Sequence, residues 1–214
     1  MTAQKLISWL GALLLAGCVS QQQEKLLPFY NTPDFTPQWL TSTDKEYSSV
    51  HTIAPFKLNN QQGAIITNKN VDGKIHIANF FFTKCTGICP KMNNNLKKIA
   101  DAFITNSDVL ILSYTVMPEA DSVGSLAAYG KKEGIDVKKW WLLTGNKKEI
   151  YTLARQSYFA DEELGYYRGS NDFLHTENAV LVDRKGRIRG VYNATLSLEI
   201  EKLAEHINLL LEEE

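Results

Sequence analysis

Two cysteines stand close together in the chain, where their thiols could form a disulfide, exchange with a partner's thiols or bind a metal. Cys85 and Cys89 are separated by three residues; they follow the aromatic run "NFFFT" and are followed at once by Pro90. A thiolate is both a nucleophile and a ligand for soft metal ions. The spacing of the two residues therefore allows a redox pair, a structural disulfide or part of a metal site.

The segments around the pair predict a strand that ends before it and a helix that begins with it. Residues 74–83 carry few charges, as expected for a central strand that is covered on both faces. Leu96 and Ile99 continue an apolar pattern at helical spacing, and Pro90 suits the first turn of that helix. Cys89 then lies at the helix N-terminus, where we expect the helix dipole to lower the pKa of its thiol.

The rest of the chain predicts strands that alternate with helices. The predicted elements are a hairpin at 51–68, a strand at 108–116, a helix at 121–134 capped by Asp121 or Ser122 and stopped by Gly134, a strand at 139–145, a helix at 146–159 capped by Asn146, a hairpin at 176–195 turned at 184–186 and a helix at 197–213. Alternation implies parallel pairing, and the late hairpin makes the sheet mixed. The predicted fold class is α/β, a thioredoxin-like mixed β-sheet flanked by helices, with an N-terminal β-hairpin extension.

A third candidate site residue comes from the loop before the late strand, which faces the cysteine loop in a thioredoxin-like fold. Oxidoreductases of that fold normally carry a cis-proline in this loop, but all six prolines of the chain lie at or before Pro118. The loop contains His175 instead. Two thiolates and one imidazole suit copper, or zinc with a water as fourth ligand. A structural histidine beside a plain disulfide remains the alternative interpretation.

The other three histidines, His51, His76 and His206, have no companion ligands nearby in the sequence. We interpret them as structural residues. The formal net charge of −1 over 214 residues predicts no nucleic-acid-binding surface.

The N-terminus predicts export and lipid attachment. Lys5 is followed by an apolar run, residues 6–16, that is too short to span a bilayer as a mature helix. The segment "LLAGC" resembles a bacterial lipobox in which Cys18 is lipidated. With Cys18 modified, Cys85 and Cys89 remain as an even pair in an oxidising compartment.

These features predict three parts of the chain. Residues 1–17 form a lipoprotein signal peptide, residues 18–50 a polar, proline-containing stalk that tethers the protein to the membrane, and residues 51–214 the thioredoxin-like domain. The predicted location is the bacterial cell envelope, with the domain anchored by lipid and facing the periplasm or the exterior.

Three segments and their spacing resemble the Sco/SenC family over about residues 51–212: "FFFTKCTGICPKM", "WWLLTG" and "FLHTENAVLVDRKGRIRG". The resemblance implies a membrane-tethered copper protein that helps to assemble the copper A centre of cytochrome c oxidase. Some members are thought to reduce disulfides of target proteins. The family's copper ligands, for Cu(I) or Cu(II), match Cys85, Cys89 and His175.

The chain departs from the family's pattern after the second strand. Family members usually carry an S-V-D-P-like segment, where this chain has "TVMPEAD", so Met117 stands at the usual acidic position and Asp121 keeps the downstream acid. A thioether could contact copper, but a packed Met117 is the favoured interpretation.

The leading hypothesis is a lipid-anchored metallochaperone for the copper A subunit of cytochrome c oxidase, or for another copper or thiol protein. The rival is an extracytoplasmic thiol–disulfide reductase in which Cys85 attacks a partner's disulfide and Cys89 resolves the mixed disulfide. A third possibility is a binding module in which the pair is a structural disulfide.

Overall fold

A computed structural model of the chain describes residues 26–160 and 176–213. Its strands are β1 (Phe29–Tyr30), β2 (Pro37–Gln38), β3 (Lys57–Asn60), β4 (Ile65–Thr67), β5 (Ile75–Phe81), β6 (Val109–Thr115), β7 (Trp140–Thr144), β8 (Asn178–Val182) and β9 (Ile188–Asn193). Its α-helices are α1 (Asn68–Val71), α2 (Cys89–Ala102), α3 (Val123–Lys132), α4 (Lys147–Thr152) and α5 (Ser197–Glu212).

Seven strands form one mixed sheet in the order β4-β3-β7-β6-β5-β8-β9, and β1 pairs with β2 in a separate small sheet. Strands β5, β6 and β7 are parallel, whereas β8 runs antiparallel to β5 and β9 antiparallel to β8. The β5-α2-β6 unit followed by β8-β9-α5 is the thioredoxin-like arrangement, so the predicted fold class is confirmed. The predicted N-terminal hairpin is the β3–β4 pair at one edge of the sheet.

The cysteine pair follows the most protected part of this sheet. All seven residues of β5 and all seven of β6 are buried. Alternate side chains of β5 enter two core clusters, with Ile77 packed under α2 and α5 and Phe80 packed on the opposite face with residues of α4. The prediction of a central strand before the cysteines is therefore correct.

The polar residues at the helix ends explain where the helices begin and stop. The Ser122 hydroxyl accepts a hydrogen bond from the Ser125 amide at 3.2 Å, so Ser122 rather than Asp121 caps α3. Gly134 follows α3 with φ of +65°, as the predicted stop requires. Asn146 caps α4 as predicted, but the predicted single helix changes to a π-helical segment, Leu153–Ser157.

Residues 26–50, which lie in the predicted stalk, contact the domain through a buried arginine. Arg189 of β9 donates hydrogen bonds to the carbonyl oxygens of Leu27 at 2.7 Å and Pro28 at 3.2 Å. Its guanidinium also stacks on the Phe29 ring, 4.2 Å from the centroid. Leu27 and Phe29 are buried by these contacts.

Two predictions for the N-terminus, the signal peptide at 1–17 and lipidation at Cys18, lie outside the described residues. Within 26–160 and 176–213, none of the helices has the length and apolar character that a membrane crossing requires.

Candidate metal centre

The cysteine loop joins the end of β5 to the start of α2. Cys85 is half-buried and its amide donates to the Phe82 carbonyl at 3.2 Å, which forms a turn before the helix. Cys89 is the first residue of α2 and is only 4% exposed. Both residues are free thiols. Thr86 and Gly87, which form the outer rim of the loop between the two cysteines, are exposed.

Cys85 has the more acidic thiol of the two. Burial raises its pKa, but hydrogen bonds from the Cys89 thiol and from the backbone amides of Cys89, Gly87 and Ile88 lower it, and the net shift is downward. The free N–H groups at the start of α2 therefore act on the sulfur of Cys85. A half-buried sulfur that accepts these bonds is suited to carry negative charge.

The expectation that the helix N-terminus lowers the pKa of Cys89 is wrong. The pKa of Cys89 is raised to about 12, chiefly by burial, with its hydrogen bond to Cys85 and the repulsion between the two sulfurs acting in the same direction. The reason is position: as the first helical residue, Cys89 lies inside the core cluster, while the preceding loop folds Cys85 over the helix end. Desolvation outweighs the helix dipole at the buried sulfur.

A buried carboxylate holds the start of the cysteine loop. Asp121, 1% exposed, accepts hydrogen bonds from the Thr83 amide at 3.1 Å and the Thr83 hydroxyl at 2.5 Å. It also accepts one from the Thr115 hydroxyl at 2.5 Å. The sequence predicted Asp121 only as a possible helix cap, and this contact was not predicted. The one available signal was that Asp121 keeps an acid at the family's downstream position.

Met117 occupies the loop after β6. Its side chain is half-buried and packs against the core cluster on the α4 face of the sheet, which agrees with the packed interpretation. Its amide donates to the Thr115 hydroxyl at 3.1 Å.

Tyr129 of α3 lies beside the cysteine pair and was missed in the sequence. Its ring is 5.6 Å from that of Phe81, and Asn93 of α2 donates a hydrogen bond to its hydroxyl. The pKa of Tyr129 is raised to about 12, chiefly by burial, with the negative charge of the two sulfurs acting in the same direction. A phenol in the middle of an amphipathic helix gives no sequence signal that separates it from ordinary core packing.

His175 lies outside the described residues, so its placement relative to the cysteines stays a prediction. The residues that follow it are described: β8 begins at Asn178, and Ala179 pairs with Asn79 of β5. Because β8 runs antiparallel to β5, the start of β8 lies at the end of the sheet where the cysteine loop begins. Over residues 26–160 and 176–213, no group of three or more His, Cys, Asp or Glu side chains could hold a metal ion.

The remaining histidines have structural contacts, as predicted. The Nε2 atom of His51 is 2.8 Å from the Ser157 carbonyl oxygen, and that of His76 is 3.2 Å from the Tyr158 hydroxyl. The Nδ1 atom of His206 is 2.6 Å from the Tyr192 hydroxyl.

Comparison with known proteins supports one family. The SCO1 protein homolog of Bacillus subtilis is 29% identical over 143 residues, which are 66% of this chain and 73% of the homolog. The crystal structure of a SCO1/SenC family lipoprotein from Bacillus anthracis superposes with a TM-score of 0.65 at 25% identity, covering 75% of this chain and 95% of that one. Arabidopsis thaliana ScoI with copper bound gives a TM-score of 0.58 at 28% identity, covering 75% and 98%.

The sequence profile of the SCO1/SenC family matches residues 44–212, which contain every element from the short helical turn at 45–49 to α5. This span includes the cysteine loop, Asp121 and the β8–β9 hairpin. The chain belongs to the SCO1/SenC family.

Proposed function

We propose that this protein is a membrane-tethered metallochaperone that binds copper through Cys85, Cys89 and His175. The observation that carries the proposal is the arrangement of the two thiols. They are not joined in a disulfide, they are close enough to interact with each other, and they follow a strand whose seven residues are all buried. Two adjacent sulfurs are a ligand pair for Cu(I), and an imidazole also suits Cu(II).

The three proposed ligands have different roles in holding and releasing the copper ion. Cys89 supplies a sulfur fixed in the core, and Cys85 supplies a half-exposed sulfur at the loop. His175 completes the set from the segment that leads into β8, whose start lies at the same end of the sheet. The exposed rim at Thr86 and Gly87 leaves space for an acceptor's ligands. A disulfide between Cys85 and Cys89 removes both thiolates, so redox state controls loading.

The acceptor in this proposal is the copper A subunit of cytochrome c oxidase or another copper or thiol protein. Support comes from the relatives: Sco proteins of Arabidopsis, yeast and Bradyrhizobium japonicum were solved with copper bound. A structural relative, BsSco, belongs to the Sco family of cytochrome c oxidase assembly proteins.

A competition titration tests the copper site. We would titrate the reduced domain anaerobically with Cu(I) against a chromophoric chelator, using wild type, Cys85→Ser, Cys89→Ser and His175→Ala, with His51→Ala as a matched histidine control. We expect one-to-one binding by the wild type and by the control, and affinity lowered by about tenfold or more in the other three variants. Weak binding by the wild type, or His175→Ala binding as tightly as His51→Ala, would contradict the proposal.

A reductase is the second candidate function, favoured by the asymmetry of the pair. Cys85 is half-exposed with a lowered pKa, and Cys89 is buried, as an attacking and a resolving thiol should be. Insulin reduction by the metal-free protein tests it. Turnover that depends on both cysteines and not on His175 would support the reductase.

We also propose that lipid on Cys18 anchors the protein in the bacterial cell envelope. The B. anthracis relative is a lipoprotein. Metabolic labelling with a fatty-acid analogue should mark the wild type and not Cys18→Ala, and the variant should leave the membrane fraction. Equal labelling of both would rule out this anchor.

A further inference from the structure

We propose that Asp121 is a positioning residue: its carboxylate fixes the start of the cysteine loop and thereby the placement of the Cys85 and Cys89 sulfurs. The copper readout of this proposal rests on the proposed function, whereas the placement of the thiols does not. Asp121 itself is far along the chain, 36 residues after Cys85, so its effect operates through the residues that it binds.

The Asp121 carboxylate links two central strands just beyond the point where their backbone pairing ends. Phe81 of β5 is in register with Thr115 of β6, and the Val116 amide donates to the Phe81 carbonyl at 2.8 Å. Beyond this point the two strands separate, and β5 leads into the cysteine loop while β6 leads into the loop that carries Met117. Asp121 bridges them by binding Thr83 on one side and Thr115 on the other.

The three hydrogen-bond donors around Asp121 explain why this position needs a carboxylate. One oxygen accepts from the Thr83 hydroxyl, and the other accepts from both the Thr83 amide and the Thr115 hydroxyl. An ionised carboxylate is acceptor-only, so it satisfies three donors at once. An asparagine would place an N–H group against at least one of these donors. A buried carboxylate without such partners would be strongly destabilising.

The contact between Asp121 and Thr83 is separated from the first thiol by only a short stretch of backbone. Thr83 is two residues before Cys85, and the Asp121 bond to the Thr83 amide holds the backbone itself. The Cys85 amide then closes a turn onto Phe82. Since Cys89 is fixed at the start of α2, the position of Thr83 sets how Cys85 folds over the helix end. The Met117 amide donates to the Thr115 hydroxyl, so the neighbouring loop is held by the same network.

Four variants distinguish a positioning role of Asp121 from an effect on the stability of the fold alone. Asp121→Asn keeps the shape of the side chain, Thr83→Val removes one hydroxyl, and Thr83→Ser is the conservative rescue. Ser113→Ala is the matched control, because Ser113 is a buried hydroxyl of β6 that bonds to Asn79 at 2.5 Å and to Trp140 at 2.7 Å, away from the loop. All measurements use temperatures at which circular dichroism shows each variant to be folded.

Two readouts are measured for every variant. One is the Cu(I) dissociation constant. The other is the equilibrium constant for closing the Cys85–Cys89 disulfide with oxidised glutathione, a reaction that oxidises the two protein thiols and releases two molecules of reduced glutathione.

We expect Asp121→Asn and Thr83→Val to raise the Cu(I) dissociation constant about tenfold and to change the glutathione constant several-fold, with Thr83→Ser and Ser113→Ala within about twofold of wild type. Ser113→Ala should still lower the melting temperature. Values for Asp121→Asn and Thr83→Val that match those of Ser113→Ala would overturn the positioning role. If wild type binds no Cu(I), the proposed function fails, and the glutathione constant alone decides the role of Asp121.

Discussion

At the scale of single residues, the surroundings of Cys85 and Cys89 make two chemically identical groups behave differently. Hydrogen bonds from the start of α2 lower the pKa of Cys85, while burial raises that of Cys89 to about 12. The sulfur that faces solvent is thus also the one that ionises more readily. Such a pair presents one reactive thiolate to solvent, while the other sulfur stays in the core as a protonated thiol.

The difference predicts selective alkylation of the reduced, metal-free protein. At neutral pH, iodoacetamide should modify Cys85 at least about tenfold faster than Cys89, because alkylation needs both access and thiolate. Mass spectrometry of tryptic peptides, with Cys85→Ser and Cys89→Ser as single-thiol controls, measures the two rates. Equal rates in the wild type would contradict this account of the loop.

His76 predicts a pH dependence of stability that is separate from the metal centre. Burial lowers its pKa to about 4, and the charge of Asp183 acts in the opposite direction. In the unfolded chain this imidazole binds a proton near pH 6.5, whereas in the folded protein it does so only near pH 4. The free energy of unfolding is therefore undiminished by His76 above pH 6.5 and decreases as the pH falls toward 4. At pH 5 the loss should be about 2 kcal/mol relative to pH 7.5.

Urea unfolding at the two pH values measures this loss. His76→Phe fills similar space without a titrating group, and the Tyr158 hydroxyl keeps its bond to Tyr114 at 2.9 Å. The variant should therefore show a smaller loss between pH 7.5 and pH 5. An identical loss in wild type and variant would mean that other groups are responsible.

At the scale of elements, hydrophobic pattern and turn residues were sufficient to predict every strand of the central sheet that carries the site. The runs before the cysteines and at 108–116 are β5 and β6, and Asn146 and Gly134 mark helix ends as expected. Period and local turn chemistry are properties of short segments, so the sequence contains them.

What the sequence could not supply are effects that depend on distant residues. The raised pKa of Cys89 comes from burial under several elements, and the bond from Thr83 to Asp121 joins residues 38 apart. The π-helical turn at Leu153–Ser157 likewise depends on packing, because its sequence continues an ordinary helical pattern. His175 was reached through the fold and the family resemblance, and it remains a prediction.

The attachment of residues 26–30 to β9 predicts a large effect of one buried arginine. Arg189 is 1% exposed and pairs with Glu213 at 2.6 Å and Asp183 at 3.4 Å, besides its bonds to Leu27 and Pro28. Arg189→Met should lower the free energy of unfolding by about 3 kcal/mol, since it leaves a buried carboxylate and two carbonyl groups with fewer partners.

Urea denaturation tests this prediction against an exposed pair. Lys97 and Asp101 are 3.3 Å apart on the surface of α2, so Lys97→Ala should cost less than about 1 kcal/mol. Similar effects of the two substitutions would show that the buried arginine does not fasten the N-terminal segment.

At the scale of the whole molecule, the mixed sheet brings distant parts of the chain to one end. The cysteine loop follows β5, the Met117 loop follows β6, and the segment containing His175 leads into β8. Because β8 is antiparallel to β5, its start lies where β5 ends. The proposed copper site would therefore lie at the end of the sheet where β5 finishes and β8 begins.

X-ray absorption at the copper edge reports the ligands of the bound ion and so tests the three-ligand site itself. On the Cu(I)-loaded full-length protein, we expect two sulfur ligands and one imidazole in the wild type. We expect the imidazole signal to be lost in His175→Ala, with both sulfurs retained. A sulfur-only shell in the wild type, or an imidazole signal that survives in His175→Ala, would contradict the three-ligand site.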